Sequence, residues 1–510
     1  MPRYAAIDIG SNSIRMEVAD EIPGSSMKIV ASEREVTRLG ESVFRTGRIS
    51  SEAMDLTCQV LVRMADQYKK LDVAGVRAVA TSAVRDARNQ AEFLGRASQS
   101  AGTVVDVISG REEARLIYLG VQSRWPITSK RVLIMDVGGG SVELIAGENG
   151  RMLDAVSKPL GAVRLREVFL GHDPPTDLEL HRMREFIAEK LDGVARRFGA
   201  GRWDLAIGTS ATAAAVARAI GGVSRSNGDR VDRFRMSAAQ IRKLSQKLNS
   251  IDLAARRRVV GIGPRRAEII IPGVSVLAQV LEAFHLGAVR YSTAGVRDGI
   301  IADLAARGVG TKRAQLNADQ RREVEKLSTR YGVSRKHSRK VAALAVSLFH
   351  SLQPLHRLPL EMGKLLEAAA FLHDIGHYIS DLSHHKHSYY IVANSDMPGF
   401  TNREREIVAN LCRYHRKALP ASHHPNQKPL SSEEMQVVVR LIPLLRLADS
   451  LDRSHAQRIE SVECRIQDGT VTVQLLSPGD IDLELWAADQ AAEAFRQVYK
   501  VPVVFARKRR

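Results

Sequence analysis

Only three cysteines, Cys58, Cys412 and Cys464, occur in this 510-residue chain. None stands in a CxxC pair and three cannot all pair with one another, so they read as free thiols in a reducing compartment. Aromatic residues are sparse, at 5%, which argues against a surface that stacks on the bases of single-stranded nucleic acid. No zinc-finger spacing and no aromatic-rich basic motif occurs, and nucleic acid is set aside as the expected partner. No run of ~20 apolar residues is present, which predicts no membrane span. The first strand-like run, Tyr4 to Ile9, begins almost at Met1 and leaves no room for a signal peptide. The expected location is therefore the cytoplasm.

What the chain has in excess is positive charge, a net +18. Apolar residues at 44% and charged residues at 26% are ordinary for a globular protein, and the length predicts two to four domains. The charge speaks of partners rather than of fold. It marks either a merely basic surface or a polyanionic ligand such as nucleic acid, an acidic membrane or polyphosphate. Charge alone does not choose among these.

Hydrophobic periodicity alternates strand and helix through the first three fifths of the chain. Strands are predicted over 4–20 (two, around Gly10-Ser11-Asn12-Ser13), 28–37, 76–80, 104–108, 131–137, 142–146 and 205–207. Helices are predicted over 50–70, 86–99, 111–121, 162–170, 176–198, 272–285 and 295–307. This alternation implies an α/β fold with helices covering a sheet. Residues 4–20 and 131–147 share one plan of strand, Asp, glycine/serine turn and strand, which reads as an internal duplication. Residues 308–322, with Gly308, Gly310, Lys312 and Arg313, read as a linker. From 323 to 458 the pattern is helical and rich in histidine. The tail reads as a hairpin over 462–475 with an Asp468-Gly469 turn, a strand Ile481–Trp486, a helix 488–499 and a strand 501–505. Arg507-Lys508-Arg509-Arg510 reads as a solvated end.

The chemistry concentrates in short segments. Asp8 precedes Gly10-Ser11-Asn12-Ser13, and Asp136 precedes Gly138-Gly139-Gly140-Ser141. Each puts a carboxylate at a strand end beside exposed backbone N–H groups, where glycine permits close approach of an anion. A single glycine turn in a hairpin is more often plain structure. Two matching turns, each with its Asp, point to a grip on a chain of phosphates. Carboxylates placed there would hold a cation, expected as Mg²⁺, that offsets phosphate charge.

These segments resemble the exopolyphosphatase / guanosine pentaphosphate phosphohydrolase (Ppx/GppA) family. The resemblance extends to Ala80-Thr81-Ser82-Ala83-Val84-Arg85, Ser109-Gly110-Arg111-Glu112-Glu113-Ala114-Arg115, Pro159-Leu160-Gly161-Ala162-Val163-Arg164, Gly208-Thr209-Ser210-Ala211-Thr212, Arg266-Ala267-Glu268 and Gly295-Val296-Arg297-Asp298-Gly299. It implies a duplicated actin/sugar-kinase-like, ribonuclease H-like, two-lobed N-terminal half, with lobes 1–125 and 126–307. It implies Glu113 as the general base that activates water and Arg85 as a phosphate-binding catalytic arginine. Read without the family, Glu113 is only a favourable charge at a helix N-terminus. The resemblance further implies Asp8, Asp136 and Glu143 at an Mg²⁺ site, and phosphate binding by Gly10, Ser11, Asn12, Ser13, Gly138, Gly139, Gly140, Ser141, Gly208, Thr209 and Ser210. The family usually has a glycine where this chain has Ala211, and a methyl group there narrows the approach of a ligand.

In the histidine-rich part, His337, His373-Asp374 and Asp449 form the ligand series of the HD metal-dependent phosphohydrolases, a set that suits Mn²⁺ or a similar divalent ion. Long members of the resembled family carry such a half, where it can instead be a binding and dimerisation module. Residues 308–458 are thus expected to be an all-α HD-type domain, and 459–510 a small α+β domain. His387, His415, Arg416 and Lys417 either line a channel for a long polyanion or form an ordinary basic helix face. His350 and His356 read as surface or packing residues.

The function expected from the resemblance is hydrolysis of terminal phosphoanhydride bonds of inorganic polyphosphate by a homodimer. Guanosine pentaphosphate is the alternative substrate. A second alternative is an HD-type nucleotide phosphohydrolase with an N-terminal polyphosphate or alarmone sensor.

Overall fold

The computed structural model describes residues 2–21, 27–125, 127–128, 130–199, 203–224, 231–308, 315–421, 424–427 and 429–508. Gly310, Lys312 and Arg313 of the expected linker, and Arg509 and Arg510 of the expected solvated end, lie outside the described residues. The chain divides into two compact units, Met1–Gly310 and Thr311–Arg510. Among the described residues no helix is long and apolar enough to cross a membrane.

Two mixed sheets build the first unit. Strands β1 (Arg3–Ile9), β2 (Ile14–Asp20), β3 (Lys28–Glu35), β4 (Gly75–Ala80) and β5 (Val105–Val107) lie in the order β3-β2-β1-β4-β5. Strands β6 (Arg131–Val137), β7 (Val142–Glu148), β8 (Arg151–Lys158), β9 (Leu205–Thr209), β10 (Arg235–Ser237) and β11 (Ala288–Tyr291) lie in the order β10-β11-β9-β6-β7-β8. Read from β8, the second sheet repeats the connectivity of the first and adds β10 at its edge. The duplication expected from 4–20 and 131–147 is therefore present in the topology. The central strands are buried on both faces, which is why β1 and β6 read as continuous apolar runs. Strand β8 and the helix Ser210–Gly221 were not legible. In β8 only Ala155 and Val156 are buried, so no period-2 pattern marks it. The helix is so rich in alanine that no polar face stands out.

Each half lends a helix to the other's sheet. Ala114, Ile117, Tyr118 and Val121 of the helix Gly110–Arg124 pack with Val132, Ile134, Ile145 and Ile207 of the second sheet. Ile300, Ile301 and Leu304 of the helix Val296–Ala306 pack with Tyr4, Ala6 and Val79 of the first. The two helices cross so closely that a Cβ on Gly299 would run into the Leu116 carbonyl, and one on Gly120 into that of Gly295. Beside the crossing lies a buried ion network. Arg77 bonds Asp303 at 2.9 Å and Glu112 at 3.0 Å, and Arg115 bonds both of the same carboxylates at 2.8 Å. Removing one member of such a network would leave a buried charge unpaired, at a cost of about 3–5 kcal/mol.

The second unit is mainly helical. Its principal helices are Arg335–Ser351, Gly363–Leu372, His384–Ala393, Asn402–Tyr414 and Ser432–Ser450. The tail adds a sheet of β12 (Ser461–Gln467), β13 (Thr470–Leu476) and β14 (Val503–Lys508), with β14 parallel to β13. Asp468 and Gly469 both have positive φ, as the expected tight hairpin turn requires. The expected strand Ile481–Trp486 is instead the start of the helix Asp482–Tyr499. Its alternating Ile481, Leu483 and Leu485 imitated a strand. The buried positions are 481, 484, 487 and 488, at helical spacing, and Leu483 and Trp486 are exposed. Val471, Val473 and Phe495 share one apolar cluster with Leu441 and Ile442, so the tail and the helices are built on a common core.

The crossing predicts a sharp contrast between two glycines. Gly299→Ala should lose at least ~2 kcal/mol of stability, because a methyl group there meets rigid backbone. Gly193→Ala, where nothing lies within 4 Å of the added atom, should be neutral or stabilising by up to about 1 kcal/mol. Thermal melts of the two variants check this.

Candidate active site

Strand register sets the site. Ile9 pairs with Ile14 and Val137 with Val142, so each hairpin closes over four residues, 10–13 and 138–141. In each loop the first glycine N–H donates to the carbonyl of the last serine, at 3.1 Å from Gly10 to Ser13 and 3.0 Å from Gly138 to Ser141. The loops face one another: a Cβ on Gly139 would lie 3.1 Å from Ser11 Cβ and 3.3 Å from Asn12 N. Gly10–Ser13 and Gly138–Ser141 line a cavity of about 440 Å³ together with Asp8, Glu113, Asp136, Ser210 and Ala211.

The acids in and behind this cavity repel one another. Glu113 stands in the first turn of the helix Gly110–Arg124, which Ser109 caps by accepting from the Glu112 N–H. Its carboxyl is buried, and among the described residues Oε2 has no hydrogen-bond partner. Burial, then the nearby Glu143, push it well above the usual carboxylate range, against the pull of Arg85. Asp136 is pushed up to about 6 by burial, although its carboxylate accepts the Thr209 hydroxyl. Glu143 is pushed up to about 7 by burial and by Asp136, and accepts from Ser157 at 2.7 Å. Asp8 is also raised, by burial, against the pull of Arg15 and Arg297. Four carboxylates held above their ordinary values are a set that gains from a cation. All their donors are hard oxygens, which fit Mg²⁺.

Not every expected residue reaches the cavity. Arg85 does not line it; it stands behind Glu113, with Nη1 3.5 Å from Oε2 and donating to the Ile108 carbonyl at 2.7 Å. Glu143 lies one layer deeper. Gly208 is turned into the core against Val289 and Met135, and Thr209 supports Asp136 from below. In the third loop only Ser210 and Ala211 face the cavity, and the Ser210 hydroxyl donates to the Val137 carbonyl at 3.0 Å.

Arginines are what the sequence reading missed. Arg15, Arg218, Arg265 and Arg297 line the cavity. Arg15 sits directly opposite Asp8 across the first hairpin, a pairing that the loop length alone would have given. Ala211, Ala214, Ala215 and Arg218 form one helical face, invisible while their helix was unrecognised. Arg297 belongs to the Gly295–Gly299 motif, which by itself assigns it no role.

In the second unit, His337, His373, Asp374 and Asp449 come together. His337 Nε2 and His373 Nε2 each lie 3.3 Å from Asp449 Oδ1. They lie 3.9 and 3.5 Å from Asp374 Oδ2. The residues named for a polyanion channel separate. Arg416 and Lys417 are exposed and His387 is half-buried. His415 is buried, and its Nε2 faces Asp374 Oδ1 at 3.7 Å. His356 is a packing residue, with Nε2 2.8 Å from the Phe349 carbonyl, and His350 is exposed.

The sequence model of the Ppx/GppA phosphatase family matches residues 17–307, and that of Ppx/GppA phosphatase domain III matches residues 320–485. Among solved structures, the chain is similar to a Ppx/GppA family member from Aquifex aeolicus. The two are 31% identical, with 60% of this chain and 98% of that chain covered and a TM-score of 0.54. An exopolyphosphatase from Cytophaga hutchinsonii is 27% identical, with 59% and 97% covered and a TM-score of 0.55. An exopolyphosphatase-like protein is 30% identical, with 59% and 97% covered and a TM-score of 0.56.

The raised carboxyls link stability to pH. The folded chain keeps protons on Asp136 and Glu143 that the unfolded chain releases near pH 4, so metal-free stability falls as pH rises through about 4.5 to 7. In chelator, the melting temperature should drop between about pH 5 and pH 7.5, and Glu143→Gln should flatten that drop. Thermal melts across this range check it, and added Mg²⁺ should restore most at the upper end.

Proposed function

Because the chain belongs to the Ppx/GppA phosphatase family, we propose that it is an exopolyphosphatase, releasing orthophosphate from the end of inorganic polyphosphate. The observation that carries this reading is a cavity floored by two facing anion-type loops and walled by arginines on both halves of the duplicated unit. A repeating chain of phosphates presents charge to all of these groups at once. The net charge of +18 adds a long-range attraction for such a polyanion.

In the proposed reaction the terminal phosphoryl group sits between Gly10–Ser13 and Gly138–Ser141, its oxygens on the backbone N–H groups and serine hydroxyls. The Glu113 carboxylate, which lines the cavity while Arg85 stands behind its Oε2, takes a proton from the attacking water. Its raised proton affinity makes it a stronger base than an exposed carboxylate. Arg85 fixes the direction of that carboxylate from behind. The water oxygen bonds to phosphorus as the bridging P–O bond breaks, and the shortened chain leaves with the bond electrons. Arg15, Arg218, Arg265 and Arg297 offset the charge that the leaving chain carries. Asp8 and Asp136, which line the cavity, would hold Mg²⁺ with Glu143 behind them, and the ion would neutralise phosphate oxygens when bound.

A second reading, hydrolysis of guanosine pentaphosphate, draws support from Ala214, Ala215, Ile262 and Tyr291, which give one wall an apolar surface suited to a purine. A third places phosphohydrolase chemistry on an HD-type second unit, at His337, His373, Asp374 and Asp449.

Orthophosphate release should separate these readings. Wild type should release it faster from long-chain polyphosphate than from guanosine pentaphosphate. Glu113→Gln should lower kcat by about 10²–10⁴-fold, the span of general base catalysis, with its melting temperature retained. Full activity in His373→Ala would keep the chemistry in the first unit; its loss would move the reaction to the second.

A further inference from the structure

We propose that Arg164 is the positioning residue that turns the second hairpin loop into an anion-binding loop, acting through the Gly140 carbonyl and the Ser82 hydroxyl. The proposal rests on the reading of the cavity as a phosphate site. Arg164 does not itself line the cavity. It stands in the first turn of the helix Ala162–Phe169, whose start abuts the loop Gly138–Ser141. A Cβ on Gly161 would come within 2.3 Å of the Gly139 and Gly140 backbone.

The helix start takes the carbonyls of the loop. The Ala162 N–H donates to the Gly138 carbonyl at 3.0 Å, and the Val163 and Arg164 N–H groups donate to that of Gly139 at 2.8 and 3.1 Å. The Gly140 carbonyl accepts from Arg164 Nε at 2.8 Å. In a trans peptide the C=O and the following N–H point in opposite directions. Turning these carbonyls toward the helix therefore aims the N–H groups of Gly139, Gly140 and Ser141 the other way, and all three residues line the cavity. Among the described residues no backbone carbonyl accepts from these N–H groups. Backbone holds the first two peptides of the loop. The Gly140–Ser141 peptide depends on the Arg164 side chain.

The same guanidinium reaches the other half of the unit. Nη2 donates to Ser82 Oγ at 3.1 Å and to the Asp86 carboxylate, and the guanidinium carbon lies 3.9 Å from the centre of the Phe44 ring. A guanidinium only donates, so Ser82 Oγ is the acceptor and keeps its own proton for another group. Ser82 lines the cavity, and its Oγ would lie 2.5 Å from a Cβ on Gly140. Its O–H thus stands beside the N–H groups of the loop, directed at the same phosphate oxygens. Asp86 meets the positive charge, so Arg164 contributes donor direction to the cavity rather than cationic attraction. Lysine would not serve, because one nitrogen cannot occupy both arms of the guanidinium fork.

The test is calorimetric titration of the full-length Glu113→Gln variant with tripolyphosphate in Mg²⁺, with and without Arg164→Ala, Ser82→Ala and both. Arg164→Ala should raise Kd by about 10- to 100-fold, the span for hydrogen bonds to charged groups, with the melting temperature nearly retained. The two changes together should raise Kd by less than the product of their separate effects, because Arg164 acts through Ser82. Unchanged affinity in Arg164→Ala, or a combined effect equal to that product, would overturn the proposal. If Arg164→Ala does not fold, Arg164→Lys decides: binding should still be at least ~10-fold weaker, and undiminished affinity would overturn the proposal. Orthophosphate release from polyphosphate by wild type separates this claim from the reading it rests on. No release, with binding that still depends on Arg164, would sink the exopolyphosphatase reading alone. Release by wild type, with binding unchanged in Arg164→Ala, would sink the positioning role alone.

Discussion

The crossing of the helices Gly110–Arg124 and Val296–Ala306 is the constraint on which the first unit depends. It is possible only because Gly120 and Gly299 leave room for backbone to meet backbone. It is held in register by Arg77 and Arg115, which clasp Glu112 of one helix and Asp303 of the other. Although burial pushes the Glu112 and Asp303 carboxyls up, the arginines hold both below the usual range. Glu113 follows Glu112 directly. The network therefore fixes the first turn of its helix, and with it the direction in which Glu113 reaches the cavity. A salt bridge that contributes little net stability can still fix where a catalytic carboxylate points.

Around that fixed carboxylate the cavity is a balance of like and unlike charge. Asp8, Asp136, Glu143 and Glu113 are buried close enough together to raise one another's proton affinity. Arg15 and Arg297 draw the other way on Asp8. Acids without a cation would repel phosphate, and arginines without acids would hold it too tightly to release product. The paired hairpins supply what neither set provides, a ring of neutral N–H and O–H donors shaped for phosphate oxygens.

Much of this was legible in the sequence. The two hairpins, their Asp residues and their loops were visible because a buried strand followed by a glycine/serine turn has a strong local signature. The duplicated hairpin was legible with them, whereas the order of the strands in the two sheets was not. His337, His373, Asp374 and Asp449 were legible as a set, and the structure brings all four together. Residues that act by position across the fold were not legible. Arg218 reaches the cavity from the alanine-rich helix Ser210–Gly221, and Arg265 from the short helix Pro264–Ala267. Gly208 and Thr209 were expected to touch phosphate because their segment resembles a third phosphate loop; strand β9 turns the first into the core and the second beneath Asp136. His415 looked like part of a basic strip with Arg416 and Lys417, yet the end of its helix buries it facing Asp374. The false strand at Ile481–Trp486 shows the same limit, since alternation over six residues cannot outweigh burial imposed by a neighbouring sheet.

The central claim is that the end of a phosphate chain lies between the two hairpin loops with Glu113 poised behind the attacking water. The most direct measurement is a crystal structure of the full-length Glu113→Gln variant soaked with a short linear polyphosphate. The account predicts the terminal phosphorus cradled by Ser11–Ser13 and Gly139–Ser141, with a water between it and the residue 113 side chain. A chain bound only at the His337–Asp449 cluster, or one whose end lies outside the reach of residue 113, would contradict it.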